Sequence, residues 1–149
     1  MKYFNESEEN LRKLKQSLDE WKGTPYKHWC GVKGQGCDCI HFVARVYEEM
    51  GYGPFDIKPY PRDWNLHNEE ELLFNGILKQ LPCDVLPIDI PLQNGDVILY
   101  KFGKTISHSG IYFNEEVYQA LTDMRVEKLH WKDKRWFKRM KYILRVKAL

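Results

Sequence analysis

The sequence predicts an α+β domain, with helices first and antiparallel strands after them, and three observations lead there. Apolar residues recur at helical spacing through the N-terminal half. Short runs of β-formers, most of them separated by turn residues, fill the C-terminal part. The order is helices and then strands, without the alternation that builds a parallel sheet. The chain has 149 residues, of which 43% are hydrophobic and 30% charged. That suits one soluble globular domain, burying roughly 68–70% of its unfolded surface. With no repeat or low-complexity tract, residues 1–149 read as a single domain.

Taken in order, Asn5 with Glu8 forms a candidate capping box for a first helix. Leu11, Leu14, Leu18 and Trp21 follow at spacings of 3, 4 and 3, one stripe toward a core. Gly23-Thr24-Pro25 ends it, and a glycine-rich irregular stretch (Gly31, Gly34, Gly36) follows. A second helix starts at Asp38 or Cys39, with an apolar face of Phe42, Val43, Val46, Tyr47 and Met50 and with Gly51 as its C-terminal stop. Residues 52–64 read as loop. A third helix is predicted over Glu69–Gln80 around Leu72, Leu73, Ile77 and Leu78. Pro82, Pro87 and Pro91 punctuate an extended connection that ends in the turn Gln93-Asn94-Gly95-Asp96. Strands are predicted over Val97–Tyr100, Ile106–Phe113, Val117–Leu121 and Trp136–Val146.

The first residues are polar at once and lack the apolar core of a secretory signal. No apolar run reaches the ~20 residues of a membrane span. The expected place of synthesis and release is therefore the cytosol. In that setting Cys30, Cys37, Cys39 and Cys83 read as thiols. The net charge of +2 does not argue for a polyanionic partner, and no nucleic-acid partner is expected. From Lys128 to Lys147, however, nine Lys or Arg stand against one acid, Asp133. They read as a solvated face, or as a surface for an anionic polymer.

The chemistry concentrates at Cys39. A thiol attacks as thiolate, and the unsatisfied N–H groups and dipole of a first helical turn favour an anion there. With Asp38 as N-cap, Cys39 sits in that turn, and the same amides suit an oxyanion. A buried inert cysteine is the other reading of the same position. Cys37 and Cys39 form C-x-C, not the redox C-x-x-C. His28, Cys30, Cys37 and Cys39 lack zinc-knuckle spacing, and no Gly-Lys-Ser follows the glycines, so neither metal nor nucleotide cofactor is expected. Of five histidines, His41 diverges from Cys39 on the same helix, and His67 and His130 have polar surroundings. His108 begins a strand whose other residues look like core, a place where histidine serves structure or catalysis.

Four segments in order now carry a resemblance: Trp21-Lys22-Gly23-Thr24-Pro25-Tyr26, Gly36-Cys37-Asp38-Cys39, Gly95-Asp96-Val97, and Ser107-His108-Ser109-Gly110-Ile111-Tyr112. Over about Trp21 to Leu121 the chain resembles the NlpC-type cell-wall peptidases, and most of all the compact ones of phage and phage-like tail modules. The resemblance implies a papain-like α+β fold, a nucleophile at a helix N-terminus, and hydrolysis of the γ-D-glutamyl–diamino acid bond in peptidoglycan stem peptides. It casts Cys39 as nucleophile, His108 as base and then acid, and Gln119 as the polar residue that orients the imidazole. Tyr26 falls on a tyrosine near the oxyanion, and Asp38 on an acid that meets a substrate amine. It also implies phage tail proteins as partners and action at the wall from the virion.

Two positions depart from the pattern. Ile40 replaces the serine that helps recognise a substrate amine, and His41 replaces a small residue. A glutamine at 119, where histidine is usual, can fix the imidazole tautomer but supplies no charge. A tight turn at Glu115-Glu116 would pair Gln119 with Tyr112, four residues and about 13 Å from His108, so a bulge at Gly110 or strong twist must join them. Two other functions fit the same residues: a thiol amidase or acyltransferase, and a non-catalytic binding or tail-assembly module.

Overall fold

The structure, a computed structural model, describes residues 1–60 and 72–149. A 3-10 turn over Phe4–Glu6 leads into helix α1, Glu8–Trp21. The expected Asn5/Glu8 capping box is replaced. Asn5 lies inside the 3-10 turn, and the cap is Ser7, whose hydroxyl accepts from the Asn10 amide at 3.1 Å. The reason is Phe4, which buries its ring in the core and fixes the chain one step earlier. The glycine-rich stretch holds a two-residue hairpin, β1 (Gly31–Val32) with β2 (Gly36–Cys37). Helix α2, Cys39–Glu49, begins where predicted, and Gly51 takes the left-handed φ of 99° just past its end. Helix α3 is Leu72–Gln80; the predicted start at Glu69, like His67, lies outside the described residues.

Six strands form one sheet in the order β3-β8-β4-β5-β6-β7, antiparallel between all neighbours. They are β3 (Cys83–Leu86), β4 (Val97–Phe102), β5 (Thr105–Phe113), β6 (Glu116–Ala120), β7 (Val126–His130) and β8 (Met140–Val146). Two departures from the sequence reading stand out. The proline-punctuated connection contains the edge strand β3, with Pro82 and Pro87 just outside it, where a missing N–H does no harm. The run predicted as one strand from Trp136 is instead a helical turn, α4 (Lys134–Phe137), capped by the Asp133 carboxylate on the Arg135 amide at 3.1 Å. The strand starts only at Met140.

One sheet face packs Val97, Leu99, Ile111 and Leu144 against Leu14, Leu18 and Trp21 of α1 and Phe42, Val46 and Tyr47 of α2. The other carries Ile98, Tyr100, Tyr112, Val117 and Met140, against which Trp131 and Trp136 pack. Strand β4 is thus buried on both faces, which is why Val97–Tyr100 reads as an unbroken apolar run. Among the described residues, no helix is long and apolar enough to cross a membrane.

Not all of the C-terminal basic segment is free surface. Lys128 pairs with Glu116 at 3.2 Å, and Arg139 lies over the Phe102 ring. Arg145 is buried against Asp96 in a two-pronged contact of 3.0 and 2.9 Å, while the Gln93 amide donates to the same carboxylate. Burial raises the Asp96 pKa, opposed by Arg145. Removing one partner of such a pair leaves an uncompensated charge, which costs about 3–5 kcal/mol. Arg145→Leu is therefore expected to lower urea-unfolding stability by that amount, with the larger part recovered in Asp96→Asn/Arg145→Leu.

Candidate active site

The site forms where the first turn of α2 meets β5. Asp38 caps the helix. Its Oδ1 accepts from the His41 amide (2.9 Å) and from His41 Nδ1 (2.7 Å), and its Oδ2 from the Trp29 amide (2.7 Å) and the Tyr60 hydroxyl (2.7 Å). Burial pulls its pKa upward, but the bonds from His41 and Tyr60 hold it below the usual carboxylate range. Both oxygens are occupied and the residue is 0% exposed. An incoming ammonium therefore reaches Oδ2 only by displacing the Tyr60 hydroxyl.

Cys39 is the first residue of the helix proper, and β5 is tied to it on both sides of His108. The Cys39 thiol points at the Ser107 carbonyl oxygen (Sγ to O 3.6 Å), and the Ser109 hydroxyl donates to the Cys39 carbonyl at 3.1 Å. The residues before and after His108 are thus fastened to the first turn of α2. In that turn His41 N–H is taken by Asp38, and the amides of Cys39 and Ile40 are the donors that a helix start leaves without helical partners.

His108 Nε2 and Gln119 Oε1 lie 2.7 Å apart. The glutamine oxygen accepts the Nε2 proton, which leaves Nδ1 with its lone pair. How Gln119 reaches His108 differs from the sequence reading. The hairpin turns at Asn114-Glu115, both at positive φ (47° and 68°), and not at Glu115-Glu116. Ile111 then pairs with Tyr118, so Gln119 stands across from Gly110 rather than Tyr112. Gly110 is essential to the approach. A Cβ there would come within 2.6 Å of Val117 Cγ1, 2.9 Å of the Tyr118 carbonyl and 3.2 Å of Gln119 Cβ. Gly110→Ala must push β6 away, and it is expected to cost about 1–3 kcal/mol by overpacking. Activity should fall at least tenfold with it, read beside the melting temperature in the same thermal and kinetic assays.

The imidazole stacks on Trp136 (centroids 4.7 Å, interplanar 28°), with Tyr100 at 5.5 Å and Phe102 at 6.3 Å around it. Burial in this aromatic box lowers the His108 pKa to about 4, against the opposing Gln119 bond. The Cys39 thiol, 7% exposed, moves the other way. The helix-start reading expects a lowered pKa, but burial, and then the Asp38 charge beside it, push it up to about 12, against hydrogen bonds from Ser109. At neutral pH Cys39 therefore rests as a thiol and His108 as a neutral imidazole.

Tyr26 is half-buried and packs on the core beside the site, its backbone bridged to Cys37. Sequence reasoning missed two residues. Tyr60, in a stretch read only as loop, sits by Cys39. Burial, then Cys39, Asp38 and Tyr26 nearby, raise its pKa far above normal and keep its hydroxyl a donor. Nothing periodic marks it; its only signal is an aromatic flanked by prolines. Trp136 was hidden by the strand prediction. Cys37 is wholly buried and its thiol is pushed up to about 12, mainly by burial, so it is inert beside Cys39. Among the described residues no three His, Cys, Asp or Glu side chains are grouped to hold a metal.

The NlpC/P60 family model matches residues 23–145. No curated protein matches the chain. Among solved structures, it is similar to a lipoprotein-like NLP/P60 family protein of Staphylococcus aureus (TM-score 0.67, 16% identity, 96% of this chain and 43% of that one). It is similar also to an NlpC/P60 family protein of Bacillus cereus (0.62, 20%, 93% and 40%). A third is RipD of Mycobacterium tuberculosis, described as a non-catalytic NlpC/p60 domain protein adapted to peptidoglycan binding (0.55, 15%, 91% and 96%). The chain thus spans about two-fifths of the staphylococcal and Bacillus proteins, and these likenesses show a shared papain-like α+β fold. With 123 consecutive residues matched by the family model, the chain belongs to the NlpC/P60 family.

Proposed function

We propose that the protein is a cysteine peptidase that hydrolyses peptidoglycan stem peptides, with the γ-D-glutamyl–diamino acid bond as its target. The observation that carries this reading is the fastening of β5 to Cys39 on both sides of His108, with Gln119 holding the far imidazole nitrogen. Cys39 Sγ attacks the carbonyl carbon as His108 Nδ1 takes the thiol proton. The first-turn amides, with the Tyr26 hydroxyl, receive the oxyanion. His108 then gives its proton to the departing amine. Water, deprotonated by His108, hydrolyses the thioester and frees Cys39. Asp38 orders the first turn and, through Tyr60, sets the wall that meets the substrate's amino end. The likeness of Gly36-Cys37-Asp38-Cys39 to tail-module peptidases supports a place in a phage tail, where the enzyme opens the wall locally.

The test is product analysis on a murein tripeptide. Release of the free diamino acid, dependent on Cys39, is the expected result. An intact peptide that nonetheless binds the folded protein would place it with RipD as a binding module, and release of a different amine would make it an amidase of another bond.

A further inference from the structure

A cavity of about 580 Å³ lies against the nucleophile. Cys39 and Ser107 are in its wall, and so are Ile40, Val43, Ala44 and Tyr47. These α2 positions fall one turn apart, so the cavity follows the helix for about 12 Å from its first turn to its third. Across from them stand Phe55 of the 53–60 strap and Leu73 and Ile77 of α3. The strap is held in place by the Phe55 amide on Glu48 (2.9 Å) and by a mutual pair of bonds between Asp56 and Gln80 (2.6 and 2.8 Å). The charged members of the wall, Asp56, Lys58 and Lys79, are exposed, and Tyr60, Asn75, Gln80 and Ser107 add further polar groups.

Two features show that this space is kept open. Ile40 presents an apolar side chain beside the thiol. Gly76, in the middle of α3, also lines the cavity, and a Cβ there would meet nothing within 4 Å. Neither crowding nor a positive φ requires glycine at that point. A mid-helix glycine costs about 1 kcal/mol relative to alanine. What its missing side chain supplies is width. An elongated apolar space of this volume, ending at a nucleophile, suits a ligand that is itself elongated and apolar.

We propose that the cavity takes the hydrocarbon chain of an acyl donor, so that Cys39 accepts medium-length acyl groups from esters, thioesters or amides. This rests on Cys39 as nucleophile and His108 as base, and not on a peptide substrate. Cys39 Sγ bonds to the acyl carbon while its proton passes to His108. The bond to the leaving oxygen, sulfur or nitrogen breaks, and that atom takes the proton. Water, losing a proton to His108, then attacks the thioester; the sulfur departs, recovers that proton, and the free acid is released.

The experiment compares p-nitrophenyl acetate, butyrate and octanoate, following nitrophenolate release and the intact mass of the full chain. Each buried methylene favours binding about fourfold. With losses to ordering, octanoate is expected to acylate Cys39 at least 100-fold more efficiently than acetate, after correction for the esters' own reactivity. Gly76→Phe, placed in open space, should shrink the octanoate-to-acetate ratio at least tenfold. A flat or falling chain-length series, or an unchanged ratio in Gly76→Phe, overturns the proposal and leaves the peptidase reading standing. If no ester modifies Cys39 in the folded protein, the nucleophile assignment falls, and both readings with it.

Discussion

Cys39→Ala is expected to abolish hydrolysis, with kcat/KM down by about 10⁴-fold or more. In the proposed reaction the sulfur is the atom that bonds to substrate, and no other thiol takes its place at the start of α2. Cys37 is wholly buried, Cys30 stands in the irregular stretch before β1, and Cys83 lies on the edge strand β3. The change removes one small side chain whose hydrogen bond goes to the Ser107 carbonyl, so melting should move by only a few degrees. Activity without folding loss separates a chemical role from a structural one. A covalent thioester mass, present in wild type with slow substrates, should be missing from the variant.

The second large effect is at His108. Removing a general base costs about 10²–10⁴-fold, and His108→Gln keeps a side chain of similar size between Trp136 and Gln119. The pH behaviour makes the role specific. Because burial lowers the imidazole pKa to about 4, the base stays neutral well below the ordinary histidine range, and the acid limb of kcat/KM should fall near pH 4 instead of 6.5. Stability follows the same group. Between its folded pKa and its unfolded value of about 6.5, the unfolded chain binds more protons than the folded one. The stability linked to neutral His108 is therefore complete above about pH 6.5 and is lost as pH falls toward 4, by about 3 kcal/mol in all. His108→Gln should flatten that slope in urea titrations.

The strongest patterns in the sequence were local ones. Leu14, Leu18 and Trp21 at helical spacing, Asp38 as a cap with Cys39 behind it, and the apolar run of β4 each record an element in the residues that build it. The pairings were harder. Gln119 meets His108 because Asn114 and Glu115, neither a glycine, turn the chain with positive φ. A register two residues away is equally compatible with the pattern of Ile111, Tyr112 and Phe113. The aromatic box failed to show for a related reason: Trp136 sits in a run of β-formers and cations that Asp133 caps into a helical turn. Tyr60 reaches Asp38 through a loop, where period carries no information. The sign of the Cys39 shift also depends on how deeply the tertiary structure buries the helix start, which spacing along the chain does not record.

Iodoacetamide alkylation of each cysteine, followed by mass spectrometry from about pH 3 to pH 10 in wild type and His108→Gln, tests the thiol–imidazole pair most directly. In the proposed mechanism His108 takes the proton from sulfur, so the rate at Cys39 should follow the imidazole. It should rise through about pH 4, stay level through neutrality, and be lost at neutral pH in His108→Gln. Cys39 reacting only as pH enters the ordinary thiol range near about 8.5, with the same profile in both proteins, would mean that no working pair exists.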